Sequence, residues 1–210
     1  MPIWNRSSVP ADALELIKGG GAQCALTPVV GQDGSLRIGW GSDTMPNGDP
    51  VRLPDTPDGE VPEISLRQAD TMLERDLAAW LKVLGAAAWV PIQECHASAL
   101  LGFIATAGVR AFVNSPMMYA LNRGQVDAAG RQLMRWCLVP GETEGELVIS
   151  VPLARRRFAE AEVFRGVDPE IALTRAAAKT PEELAALKQA ADDEMAAFAQ
   201  AELQRQGGQP

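Results

Sequence analysis

The sequence predicts an α+β fold that is mostly helical. Long stretches place apolar residues at three- and four-residue spacing, as an amphipathic helix does. Two short apolar runs flank Gly31-Gln32-Asp33-Gly34, a turn signal between strands. Beyond Gly166 the chain becomes rich in alanine, with high helix propensity.

Residues 1–11 read as an irregular lead-in. Pro10-Ala11-Asp12 opens a helix with Leu14, Ile17 and Lys18 on its repeat, and Gly19-Gly20-Gly21 stops it. Ala25-Leu26-Thr27 and Leu36-Arg37-Ile38 are the two arms of a small hairpin. Residues 43–63 hold five prolines among Asn, Gly and Asp, the composition of a long loop. Ser65 caps a helix whose stripe is Leu66, Ala69, Met72, Leu73, Leu77 and Trp80. Pro91 begins another helix, to about residue 107, with Gly102 marking tight packing and Gly108 a stop. Ser115-Pro116 starts a helix to about Arg123. Val126–Cys137, Pro152–Phe164, Asp168–Ala178 and Pro181–Gln204 complete the series. Gly141–Glu146 reads as an acidic turn. Thr180-Pro181-Glu182-Glu183 is a helix start, with a cap, a first-turn proline and a glutamate three residues on. The tail from Gly207 is expected to fray.

The composition excludes several classes. With 27 acidic against 19 basic residues the formal charge is -8, which repels phosphate backbones and disfavours nucleic-acid binding. Cys24, Cys95 and Cys137 are too few and odd in number for a disulfide framework. The first residues lack the basic and apolar regions of a secretory signal, and no apolar run approaches a membrane span. The expectation is a protein made in a host bacterial cytoplasm, with incorporation into a virion left open. No metal-ligand spacing and no phosphate-binding glycine loop occurs, so no cofactor or metal is expected.

Local motifs sharpen the layout. The hairpin ends Ile38-Gly39-Trp40-Gly41. ISLRQADTMLERDLAAW (64–80) follows the long loop. The stretch 90–136 carries the central helices, and LARRRFAEAEVF (153–164) closes them. This ordered set, over about 12–164, resembles the phage-type lysozymes of glycoside hydrolase family 24. The resemblance implies a lysozyme-like domain over 12–165, comprising the N-terminal helix, the small hairpin and a helical bundle. Residues 166–210 are then a helical C-terminal extension.

It also implies a chemistry. Active members cleave peptidoglycan glycan with a glutamate as general acid just past the first helix. An aspartate in the hairpin and a threonine before the isoleucine-glycine pair complete the site. The acid protonates the leaving oxygen, and a facing carboxylate or positioned water meets the oxocarbenium-like state. In this sequence the glutamate position falls on Gly21 or Ala22, the aspartate position on Val30 or Gly31, and the threonine position on Arg37. A histidine common after the hairpin is Ser42, and a mid-bundle asparagine is Thr106. Loss of a general acid alone costs about 10²–10⁴-fold.

Asp33, two residues from the expected aspartate, is the candidate for a relocated carboxylate. Glu15 is expected on another helix face, and Glu94 is a surface charge favoured at a helix N-terminus. Cys95 and His96 are neighbours whose side chains diverge on a helix. Family arginines at Arg155–Arg157 pair with carboxylates inside the bundle. Arg37, a cation at the cleft mouth, has three readings: filling the cleft, pairing with Asp33, or docking an acidic partner. The five tryptophans suit the core, and Trp40 is the one placed to stack on sugar. Leu184, Leu187, Ala191, Met195 and Phe198 make one apolar stripe, for docking on the bundle or on another chain.

The expected function is a lysozyme-like phage protein that has lost muramidase activity and serves as a non-catalytic virion, assembly or structural component. Its partners would be phage structural proteins or a second copy, with peptidoglycan a further ligand. Two alternatives stay open: an active muramidase with a relocated carboxylate, as endolysin or virion-associated lysozyme, and a peptidoglycan-binding module.

Overall fold

The structure is a computed structural model, and it describes residues 3–19, 24–31, 34–54, 56 and 59–207. Among these, α1 (Ala11–Gly19) leads into an antiparallel hairpin of β1 (Ala25–Val30) and β2 (Leu36–Gly39). The described residues after it run without helix or strand to Ser65. There α2 (Leu66–Ala87) begins under a reciprocal cap: the Gln68 amide donates to Ser65 Oγ, and Ser65 N–H donates to Gln68 Oε1.

At the centre stands α3 (Glu94–Ala107), every residue of which is buried from Cys95 to Ala105. Its apolar circumference explains why α1, α2 and α7 all pack on it. Gly102 lets α1 approach closely, since a Cβ there would lie 2.9 Å from Leu16. Then follow α4 (Val109–Val113), α5 (Pro116–Asn122), α6 (Val126–Gln132) and a 3₁₀ turn at Leu133–Arg135. A second hairpin, β3 (Leu138–Pro140) with β4 (Leu147–Ile149), precedes α7 (Val151–Phe164). The extension comprises α8 (Pro169–Ala178) and α9 (Pro181–Gly207). α8 packs on α7 and α1, and α9 packs on the 3₁₀ turn, α6 and α7. The main core runs from Trp4 to Ala191, and a smaller one of Ile38, Val51, Ile64, Ala69 and Met72 lies under the first hairpin.

Several expectations need correction. In α1 the buried face is Ala13, Leu16 and Ile17, and Leu14 is exposed, because the helix meets α3 one position off the assumed repeat. The helix expected from Pro91 starts at Glu94, where the backbone N–H of Gln93 finds an acceptor in His96 Nδ1. The strands around Gly141–Glu146 were not expected, nor was α4, which fills the connection after Gly108. Trp89 is 79% exposed rather than core. Helix α9 is continuous to Gly207, past the expected end at Gln204.

Candidate functional site

The first hairpin presses its end onto the central helix. Gly41 has φ +109°, and a Cβ there would stand 2.6 Å from the Ala105 carbonyl oxygen. Only glycine combines that conformation with that approach. Ile38, fully buried, anchors β2 in the small core. Trp40 is half-buried, and its Nε1 donates to Asp70 Oδ1 at 2.8 Å. Lys18 Nζ lies 2.7 Å from the same oxygen and 5.4 Å from the indole centroid. These two bonds hold the Asp70 carboxyl below its usual range, Lys18 more than Trp40. The group joins α1, the hairpin and α2.

Between hairpin and bundle lies a cavity of about 360 Å³. It brings together Val30, Gly31, Arg37, Trp40 and Thr106, from three of the expected cleft positions and the candidate sugar platform. Among the described residues that line it there is no Asp or Glu. A larger cavity of about 1120 Å³ adjoins Arg37 and Gly41 and is walled by Asp43, Asp76, Trp80, Arg110 and Trp136. Arg37 lies between the two. Its Nε donates to Ser35 Oγ at 2.9 Å and its Nη1 to the Gly41 carbonyl at 3.3 Å. Its Nη2 reaches the Cα side of Gly108, 3.3 Å from where a Cβ would stand.

Ser42 is buried, accepts from Arg75 Nη2 at 3.2 Å and donates to the Thr44 carbonyl. Thr106 accepts from Arg157 Nη2 at 2.6 Å and lies 3.2 Å from the Phe103 carbonyl. Gly21, Ala22 and Asp33 lie outside the described residues. Glu15 is exposed, and Glu94 is half-buried in the first turn of α3. The neighbours Cys95 and His96 are each bound elsewhere. Cys95 Sγ faces the Phe164 carbonyl at 3.6 Å, while His96 stacks on the Phe164 ring at 4.4 Å. Burial pushes the Cys95 thiol up, the opposite of what a nucleophile needs. Among the described residues no three His, Cys, Asp or Glu side chains stand together to hold a metal ion.

The arginine run is largely internal. Arg157 and Glu160 are fully buried and paired, and Arg156 Nε donates to the other Glu160 oxygen at 3.1 Å. Arg155 instead donates to the Lys179 carbonyl, at the α8–α9 joint. Two cations thus share one carboxylate. Arg156 Nη2 reaches the Gly102 carbonyl at 3.4 Å, and Nη1 is buried with no hydrogen-bond partner among the described residues. Sequence reasoning missed this imbalance, although the signal was available. Glu160 and Glu162 are the acids one helical turn on, and Glu162 pairs with Arg165 and Arg175.

Of the apolar stripe, Leu184 and Ala191 are buried and Leu187 packs on the main core. Met195 and Phe198 are half-buried beside Tyr119, whose ring centroid lies 6.1 Å from that of Phe198.

Hairpin, central helix, arginine-rich closing helix and intervening cleft together define a lysozyme-type architecture. The phage lysozyme family model matches residues 22–160, and the chain belongs to that family. An endolysin of Acyrthosiphon pisum secondary endosymbiont phage 1 is 27% identical over 101 residues, covering 48% of this chain and 68% of that protein. Two solved structures share the fold. The muramidase domain of SpmX from Asticcacaulis excentricus has TM-score 0.58 and 24% identity, over 75% of this chain and 97% of its own. The endolysin from Escherichia coli O157:H7 phage FAHEc1 has TM-score 0.59 and 23% identity, over 75% and 92%. The family match ends before α8 and α9.

Proposed function

We propose that this chain is a phage lysozyme-fold protein without muramidase activity, serving as a non-catalytic virion, assembly or structural component. The observation that supports this most is the wall of the 360 Å³ cavity, apolar with Arg37 and Arg156 and without a carboxylate among its described residues. Glycoside cleavage needs a proton donor at the leaving oxygen, and an arginine, always charged, supplies none at neutral pH. The substituted positions Gly21, Ala22, Val30, Gly31, Arg37, Ser42 and Thr106 fit the same reading. Within the apolar stripe, Met195 and Phe198 are the residues a partner reaches, since Leu184 is spent on the bundle and Leu187 packs beside it.

The test is a muramidase assay on purified peptidoglycan, with Asp33→Asn beside the unchanged chain. The expected result is no reducing ends above background in either. Activity that Asp33→Asn abolishes would overturn the reading and make the chain a muramidase with a relocated carboxylate. One observation favours that second reading: Asp43 and Asp76 wall the larger cavity beside Arg37. Asp43→Asn and Asp76→Asn belong in the same assay. Peptidoglycan binding through Trp40 is disfavoured by the Asp70 and Lys18 contacts that already engage its indole. Sedimentation with purified cell wall tests it.

A further inference from the structure

We infer that His96 pins an acid-released clasp: protonation of its ring frees the lead-in, residues 3–9, from the connection between α2 and α3. The device involves neither cavity, so it stands whether or not the chain cleaves glycan.

The lead-in is fastened to that connection along its length. Ile3 forms an antiparallel bridge with Gln93, and Trp4 N–H donates to the Ile92 carbonyl at 2.8 Å. The Trp4 side chain is buried in the main core. Asn5 Oδ1 accepts from the Ser7 and Ser8 amides, which closes a turn around Arg6. Arg6 Nη1 then donates to the Gly85 carbonyl at 3.0 Å and Nη2 to that of Val90 at 3.1 Å. Its φ of +63° is the one left-handed value among the described non-glycine residues, a conformation that persists only when its surroundings impose it. Helix α2 has no basic residue in its last turn, and Arg6 supplies that charge from outside.

The bridge to Ile3 depends on Gln93, and Gln93 is set by His96. His96 Nδ1 accepts the Gln93 N–H at 3.2 Å. It accepts only while the ring is neutral; in the imidazolium both nitrogens are donors, and two N–H groups then face each other. The cation is disfavoured in place on other grounds as well. The ring is buried, with Phe164 stacked on it at 4.4 Å. His96 also lies in the first turn of α3, at the positive end of a fourteen-residue helix. Burial accordingly holds its pKa below the ordinary 6.5.

Neighbouring charges oppose these costs weakly. Asp127 on α6 favours the cation and is itself exposed. Glu94 is two residues back on α3, a spacing that turns it to another side of the helix. On α7, Glu162 is engaged by Arg165 and Arg175, and on α1 Asp12 acts on Cys95. His96 is the one histidine of the chain, so the pH range between 5 and 7 addresses this ring through its ordinary pKa. Below 6.5 the released form takes up a proton that the fastened form resists, and release grows as pH falls.

Amide hydrogen exchange of the full chain is followed by NMR from about pH 7.5 to pH 5, beside His96→Gln, which keeps an acceptor and does not titrate. The parent-to-variant ratio at each pH cancels the pH dependence of the exchange chemistry. For Trp4 and Gln93 this ratio is expected to rise about tenfold on acidification, inside the ~30-fold ceiling set by an open-state pKa of 6.5. Both amides should then exchange faster than those of Leu100 and Leu101 in the middle of α3, because the lead-in leaves before the bundle opens. Arg6→Met, at an exposed position, should speed Trp4 exchange even at the higher pH. A ratio that stays at its starting value down to pH 5 would overturn the proposal. So would Trp4 and Gln93 exchanging no faster than Leu100 and Leu101, or Trp4 exchange unchanged in Arg6→Met.

Discussion

Glu160 is the residue on which the closing helix turns. It is fully buried and meets Arg156 and Arg157 at once, while Arg157 spans to Thr106 and the Trp136 carbonyl. Glu160→Gln keeps the shape and removes the charge, leaving two buried cations without a counter-ion. Chemical denaturation should show a loss of about 3 kcal/mol or more, the cost typical of breaking a buried pair from one side. His96 gives a second prediction at this scale. Burial pushes its pKa below the ordinary 6.5, with Asp127 opposing. Below 6.5 the unfolded chain takes up a proton that the folded chain resists, so stability falls as pH drops through that value toward the folded one. His96→Gln keeps an acceptor for Gln93 N–H and does not titrate. Its melting temperature should therefore fall less than that of the parent chain between about pH 7 and pH 5.

Elements with strong local signals were legible in the sequence. Ser65 announced α2 as its cap, and the reciprocal bond from Gln68 came only with the structure; Ser65→Ala should cost about 1 kcal/mol in thermal unfolding, from the lost cap. The hairpin around Gly34 and the helix start at Thr180 were equally plain. What stayed hidden depends on tertiary partners. Leu138–Pro140 and Leu147–Ile149 are three residues each, too short for a period to register, and they pair only because the turn between them closes. The start of α3 at Glu94 rests on a side-chain acceptor at His96 that no apolar pattern encodes. The site followed the same rule. Val30, Gly31, Arg37, Trp40 and Thr106 were legible from family spacing, and they meet in one cavity. Arg156 was not, because its importance lies in a missing partner. The Asp70 link to Trp40 was not either, since thirty residues separate the two.

At the scale of the molecule, the extension is built into the bundle. Leu184 is fully buried, Arg155 holds the Lys179 carbonyl, and Arg135 with Lys188 grips Asp192. Leu184→Ala should therefore destabilise the whole chain by about 2–4 kcal/mol, with a single unfolding transition by circular dichroism. A separate early transition of α9 would show that it folds apart from the bundle. One contact is shared by both cavities. The Gly41 backbone rests against the Ala105 carbonyl, and Gly41 and Arg37 line the cavities on both sides. That contact is a party wall: any side chain placed at position 41 would press on the Ala105 carbonyl and alter the lining of both spaces at once.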